Sequence, residues 1–309
     1  VRAPATKGRC LALAAGLLLD ALLGDRVLRP HPVALFGNAM AALERRWWRP
    51  ERAVGARWAA VGVLAAFAVG RLLERVVGRG PALVLATWVA LGGRQLGDLA
   101  LEVGEALELG DLGAARRRLP ALVGRDVSEA DEGEAARAVV ESVAENTVDA
   151  VVAPLWWGLV GGAPAVLAYR AANTLDAMAG HRSPRYERFG WAAARLDDVA
   201  GLVPARLTAL GVAIAEPGRL GPVARAVVRD ARAHPSPNAG VAEAAFAGAL
   251  GRRLGGRNVY GGRAEARPAL GAGPVPDVAD IGRAVALLRR LEAVCCAGLL
   301  GTGLLGGRA

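Results

Sequence analysis

Between Val151 and Tyr169 the chain runs for 19 residues without a charged side chain, while carboxylates, amides and arginines crowd both ends of the run. A straight helix needs about 20 apolar residues to cross the hydrocarbon core of a bilayer. No other stretch approaches that length without enclosing Arg, Asp or Glu. Pro154 and the sequence Gly161-Gly162-Ala163-Pro164 interrupt the run, because proline removes a helical hydrogen bond and crowds the preceding turn. In one straight helix Asp149 and Asn173 would stand about 36 Å apart, at opposite membrane faces. Either the run is one kinked crossing, or it is a hairpin that turns near residues 161–164. The hairpin, which returns Asn173 and Asp176 to the side of Glu145 and Asp149, is the expectation taken here. Re-entrant backbone is tolerated where protein surrounds it.

The other apolar segments, 11–23, 58–70, 81–93, 199–215 and 293–307, reach crossing length only with flanking charges. Such charges snorkel or face a protein-lined interior. Apolar residues make up 53% of the chain and charged residues 22%, a balance that leaves apolar surface over for lipid. No sustained period-two alternation marks strands, and Gly-Gly and Pro punctuate helical stretches. The expected fold class is therefore all-α, a polytopic membrane helix bundle with broken or re-entrant helices and a polar extramembrane lobe. Residues 1–309 are expected to form a single membrane domain, with 216–283 a water-exposed lobe and 99–122 an amphipathic helix outside the membrane. Arg2, Lys7 and Arg9 precede an apolar run closed by Asp20 with no small-residue cleavage site after it, so the first helix is expected to be retained. Cys10, Cys295 and Cys296 lack metal-ligand spacing and read as packing residues.

The 38 Lys and Arg against 29 Asp and Glu give a net charge of +9, and Lys7 is the sole lysine. Nucleic acid is disfavoured as a partner, since no aromatic-interleaved basic stripe, helix-turn-helix or zinc-finger pattern occurs. Anionic lipid and a phosphorylated substrate remain, beside the plain alternative of an arginine-rich genome. No phosphate-binding Walker loop and no dinucleotide fingerprint is present.

Polar groups concentrate in three places. Gly124-Arg125-Asp126 precedes a helix, 134–150, on which Glu141, Glu145 and Asp149 share one face beside Asn146. Like charges at that spacing call for an arginine or a metal ion, unless the face is simply solvated. Tyr169-Arg170 and Asn173-Thr174-Leu175-Asp176 form the second group, with Asn173 and Asp176 on one helical face. Arg195-Leu196-Asp197-Asp198 is the third, where the acidic pair either ligates a metal or caps a helix beginning at Val199. Loop motifs follow at His234-Pro235-Ser236-Pro237-Asn238 and Asn258-Val259-Tyr260-Gly261-Gly262, and earlier at Asp20, Gly24-Asp25 and Pro30-His31-Pro32. A histidine between prolines reads first as a rigid turn.

These motifs, in this order and with Ala153-Pro154-Leu155 and Phe189-Gly190-Trp191, resemble the CobD/CbiB family of cobalamin biosynthesis, the adenosylcobinamide-phosphate synthases. His181 departs from the family, which often carries tyrosine there. The resemblance runs from about Leu11 to the last helix. It implies a multipass protein of the cell membrane that joins adenosylcobyric acid to (R)-1-amino-2-propanol O-2-phosphate, consuming ATP with Mg²⁺. On that basis Glu145, Asp149 and Asp176 are expected to hold Mg²⁺, and Arg125, Arg170 and Arg195 to clamp phosphate. Asn146 and Asn173 are expected to position substrate, with Glu145 in the catalytic group and Asp197 or Asp198 as the base. His234, Ser236, Asn238 and Tyr260 are expected to contact the corrinoid or form a lid. Membrane lipid is an expected partner, and homo-oligomer formation is left open.

Two rival readings stand beside this one. A membrane transferase for phosphorylated alcohols would show a longer Asp repeat than Asp197-Asp198. A corrinoid-binding or transport protein without ligase turnover would also use broken helices, but no internal repeat is visible. Arginines at 45–52, 116–118 and 219–267 suggest cytoplasmic placement of those stretches and of the active site.

Overall fold

A computed structural model describes residues 3–25, 27–181, 183–260 and 263–305. The helices are α1 (Ala3–Leu23), α2 (Pro32–Trp47), α3 (Arg52–Val77), α4 (Arg79–Ala90), α5 (Gly93–Glu108), α6 (Leu112–Arg118) and α7 (Glu132–Thr147). A π-helical turn, Val148–Val152, leads into α8 (Ala153–Ala179), followed by α9 (Trp191–Ala215), α10 (Leu220–Asp230) and α11 (Ala239–Leu250). Strands β1 (Leu254–Tyr260) and β2 (Arg263–Leu270) precede α12 (Val278–Leu305). The fold is an all-α membrane helix bundle with one small strand pair among the described residues. Three helical stretches are long and apolar enough to cross a membrane: Arg52–Val77, Glu132–Ala179 and Trp191–Ala215. The chain divides into two compact units, one of Val1–Gly92, Asp149–Gly201 and Cys296–Ala309, the other of Gly93–Val148 and Leu202–Cys295.

In the first unit α8 is the organising element, and it is broken as expected. Gly162 leaves the helical region with φ 70° and ψ −159°, a left-handed conformation that glycine adopts without steric cost. Pro164 follows it, lacking the N–H that a continuous helix would need. The first arm ends with carbonyls that the break leaves unpaired; Arg9 of α1 donates to Leu159 O at 2.8 Å and Val160 O at 3.1 Å. The arms then fold against each other. A β-carbon on Gly158 would meet Val166 Cγ2 at 3.2 Å, although eight residues separate them. The tip seats on α3, where a β-carbon on Gly70 would lie 2.5 Å from Pro164 Cα. Small residues at such crossings let helix backbones approach closely, the usual source of packing energy in lipid.

Trp58, Leu175, Phe189 and Met40 form a core around α3 and α8. Trp58 Nε1 donates to Met40 O at 3.0 Å, which satisfies its one polar group. On the other side of α3, Val61, Leu64, Phe67, Val69, Leu72 and Val76 are exposed. That row is a lipid-facing surface, since water would penalise so many adjacent apolar side chains.

In the second unit α11 is buried along its whole length and packs on α10. The α7 helix begins with a reciprocal cap, Asp131 accepting from Glu134 N and Glu134 from Asp131 N. The 99–122 stretch is not one helix: it breaks at Gly110, and Asp111 accepts from Ala114 N to start α6. Strands β1 and β2 pair antiparallel, Leu254 opposite Leu270 and Asn258 opposite Glu265, with an irregular step between Leu254 and Gly256. Gly255 there has φ 84°, and a β-carbon would strike Pro268 O at 2.1 Å. The expected lobe 216–283 lies inside this unit and contains that unforeseen hairpin. Asp197 and Asp198 do not cap a helix at Val199, because α9 already begins at Trp191 and carries both in its second turn.

Candidate functional site

The residues singled out from the sequence gather in two clusters, one in each unit. The first lies at the open end of the α8 hairpin. Asp149, in the π turn, accepts a hydrogen bond from Tyr169 Oη at 2.6 Å, across 20 residues of chain. A straight helix would hold those residues about 30 Å apart, so the hairpin is closed by this bond. One residue on, Arg170 Nη1 donates to Asn173 Oδ1 at 3.2 Å, and Asn173 Nδ2 donates to Asp197 Oδ1 at 3.3 Å. Asn173 stands next to Asp149, and Asp176 lies within electrostatic reach of Asp149 and Asp198. Asp149, Asp176, Asp197 and Asp198 thus lie within electrostatic reach of one another, with Asn173 joining Arg170 to Asp197. Arg195 pairs with Asp198 at 3.2 Å, but its side chain is 65% exposed, so it points away from this polar interior.

The N-terminal motifs join the same cluster, a placement that sequence reading missed. His31 caps α2, its Nδ1 accepting from Val33 N at 3.3 Å. With Nδ1 occupied, the neutral ring carries its proton on Nε2, which faces Asp25 Oδ1 at 3.7 Å. Arg170 lies within electrostatic reach of both. Burial pushes the Asp25 carboxyl up, with His31 and Arg170 pulling it back. Burial lowers His31, against the pull of Asp25 and with help from Arg170. The only advance signal was that Gly24-Asp25 and Pro30-His31-Pro32 are polar turn residues next to an apolar helix.

The second cluster centres on α7 and α11. Glu141 accepts from Arg125 Nη1 at 2.6 Å, from Arg137 Nη1 at 3.3 Å and from Gly255 N at 2.7 Å. Arg137 also donates to Gly255 O at 2.6 Å, tying α7 to the irregular start of β1. The cation that the acidic face of α7 required is therefore arginine in the case of Glu141. Glu145 falls near Glu243, a buried carboxylate of α11 that sequence reading passed over because it sits in a run of small apolar residues. His234 Nε2 stands 3.7 Å from Glu243 Oε1, while its Nδ1 accepts from Ser236 N at 3.1 Å. Burial, then the charges of Glu145 and Glu141, push Glu243 well above the usual carboxylate range. Burial also lowers His234.

The remaining expected residues have local partners. Asn146 Nδ2 folds back on Ser142 O at 2.9 Å. Ser236 Oγ accepts from Asn238 N and Ala239 N at the start of α11, and Asn238 Oδ1 accepts from Arg206 at 3.1 Å. Tyr260 ends β1, and its side chain lies outside the described residues. Among the described residues no three His, Cys, Asp or Glu side chains form a ready metal cage. Asp149 and Asp176 are the neighbouring pair of the expected ligands, whereas Glu145 groups with Glu141 and Glu243. The buried guanidinium nitrogens Arg170 Nε and Arg125 Nη2 have no hydrogen-bond partner among the described residues. Donors of that kind suit a phosphate or carboxylate oxygen.

Comparison with known proteins agrees with the motifs. Residues 13–288 match the family described as CobD/Cbib protein. A protein of Mycobacterium tuberculosis named "Cobalamin biosynthesis protein CobD" is 51% identical over 291 residues, covering 92% of this chain and 93% of its own. Proteins of the same name from Stutzerimonas stutzeri and Rhodobacter capsulatus are 46% and 44% identical, covering 90% and 85% of this chain and 92% and 86% of their own. No solved structure matches the chain. With most of its length matched and its motifs in place, the chain belongs to the CobD/CbiB family of cobalamin biosynthesis.

Proposed function

We propose that this protein is the adenosylcobinamide-phosphate synthase of its cell. It would join the carboxylate of adenosylcobyric acid to the amine of (R)-1-amino-2-propanol O-2-phosphate at the cytoplasmic side of the cell membrane. A carboxylate does not form an amide readily in water. Its oxygen would attack the γ-phosphorus of ATP, ADP would leave, and an acyl phosphate would result. The amine would then add to the acyl carbon as the carbon–oxygen bond to phosphate breaks. Two protons must leave the ammonium nitrogen on the way to the amide. Asp197 would take the first, held in place by Asn173, and the departing phosphate would take the second. Arg170, itself fixed by Asn173, would present its unspent Nε to a transferring oxygen. Mg²⁺, which needs only one or two carboxylates when phosphates and water complete its shell, would be held by Asp149 and Asp176 and would neutralise phosphate charge. Arg125, Glu145, Asn146, His234, Ser236 and Asn238 remain proposed substrate contacts in the second unit, and Arg195 a peripheral one.

The observation that carries this reading is the hydrogen-bonded array Asp149, Tyr169, Arg170, Asn173 and Asp197, assembled by a broken apolar helix in a chain of this family. The test is ATP hydrolysis by detergent-solubilised protein, followed with mass detection of the amide. Hydrolysis should require cobyric acid and the amino alcohol phosphate together. Accumulation of corrinoid in proteoliposomes without either product would assign the broken helix to transport instead.

A further inference from the structure

We propose that α10 is an in-plane helix that lies on an anionic lipid surface, although it belongs to the stretch whose composition reads as water-exposed. Its inward face is Val223 and Ala226, both buried and packed with α11. Its outward arc divides into two strips. Leu220, Ala224 and Val228 recur every four residues and form an apolar strip, with Leu220 57% and Val228 79% exposed. Arg225 and Arg229 form a basic strip next to it, both exposed. The leucine and valine gain nothing from water, whereas at the headgroup boundary the apolar strip enters the acyl region while arginines reach phosphates.

Two observations select anionic lipid as the occupant. The first is continuity. The last turns of α9, a candidate crossing, expose Leu207, Leu210 and Ile214, and only Glu216 to Arg219 separate that apolar face from Leu220. The second is charge. From Glu216 to His234 there are four arginines, Arg219, Arg225, Arg229 and Arg232, against two carboxylates. Both carboxylates are engaged, Glu216 by Arg290 and Asp230 by Arg229 and Gly271 N. Arg225 forms no ion pair among the described residues, which leaves it for a lipid phosphate. Juxtamembrane arginines of this kind are attracted to the negatively charged leaflet.

The experiment uses the full chain with Cys10, Cys295 and Cys296 changed to Ser and one spin-labelled cysteine, Val228→Cys or Ala224→Cys. Ala272→Cys, at an exposed turn, is the aqueous control. In vesicles of phosphatidylcholine and phosphatidylglycerol, labels at 228 and 224 should favour oxygen over a nickel chelate by at least about five-fold relative to 272, as expected for immersion ~5–10 Å below the phosphates. Adding Arg225→Glu, or omitting phosphatidylglycerol, should move the 228 label outward. Water-like accessibility at both 228 and 224 would overturn the proposal. Equal immersion whatever the headgroup charge or residue 225 would overturn the anionic preference. Neither readout involves turnover, so the result is independent of the proposed ligase activity.

Discussion

Glu141 illustrates how the fold keeps a charge in its interior. Its oxygens receive two guanidinium groups and a backbone N–H, so both are hydrogen-bonded and the charge is offset. Glu141→Gln would remove the charge that Arg125 and Arg137 share and turn one of its two acceptors into a donor facing a guanidinium. Breaking a buried pair from one side costs about 3–5 kcal/mol, so thermal unfolding in detergent should shift down sharply; an unchanged midpoint would refute the role. Glu243 behaves in the opposite sense. Its folded form keeps a proton that the unfolded chain gives up near pH 4.5. Stability should therefore fall as pH rises from that value toward the raised folded pKa. Glu243→Gln should unfold at a higher temperature than the parent at pH 8, by a margin that closes as the pH approaches 4.5. Asn173→Ala removes the link between Arg170 and Asp197 and should lower turnover about 10²-fold, with insertion unchanged in membrane fractions. Asn173, Asp149 and Asp197 were legible beforehand because polar groups flanking an apolar run are costly unless used. Tyr169 as a donor, His31 with Asp25, and Glu243 were not, since each acquires meaning only from a partner distant in sequence.

At the scale of elements, the α8 hairpin was legible because glycine and proline act through covalent geometry, whatever surrounds them. The conformation at Gly162 makes a specific demand. An alanine there would adopt φ near 70° and bring its β-carbon 3.0 Å from Glu74 Oε1. Left-handed backbone costs roughly 1–2 kcal/mol for a residue with a β-carbon. Gly162→Ala should therefore lose stability of that order or more, while Gly80→Ala, with open space around it, should stay within about 0.5 kcal/mol. Thermal unfolding of the pair in one detergent checks both. The β hairpin escaped notice for a related reason: β1 starts irregularly at Gly255-Gly256, and β2 alternates alanine with Arg263, Glu265 and Arg267 over only five residues, without the β-branched or aromatic side chains that identify strands. The cap alternative for the acidic pair at 197–198 falls because α9 starts at Trp191, earlier than its apolar pattern indicates.

For the molecule as a whole, the exposed apolar row on α3 and the three long apolar stretches require lipid. The protein should remain in the membrane pellet after an alkaline carbonate wash and enter solution only with detergent; release by carbonate alone would contradict the bundle. Composition indicated as much, but the division into two units did not show in it, because both units are built from the same Ala, Leu, Arg and Gly. The bond between Tyr169 and Asp149 has a last consequence, for biogenesis. A loop that departs from where it arrived carries none of its flanks through oil. Each Arg or Asp dragged across the bilayer centre costs a nascent chain about 2.5–3.5 kcal/mol. Arg170 and Asp176 never make that journey, so the insertion machinery has only an uncharged ribbon to accommodate between them and Asp149.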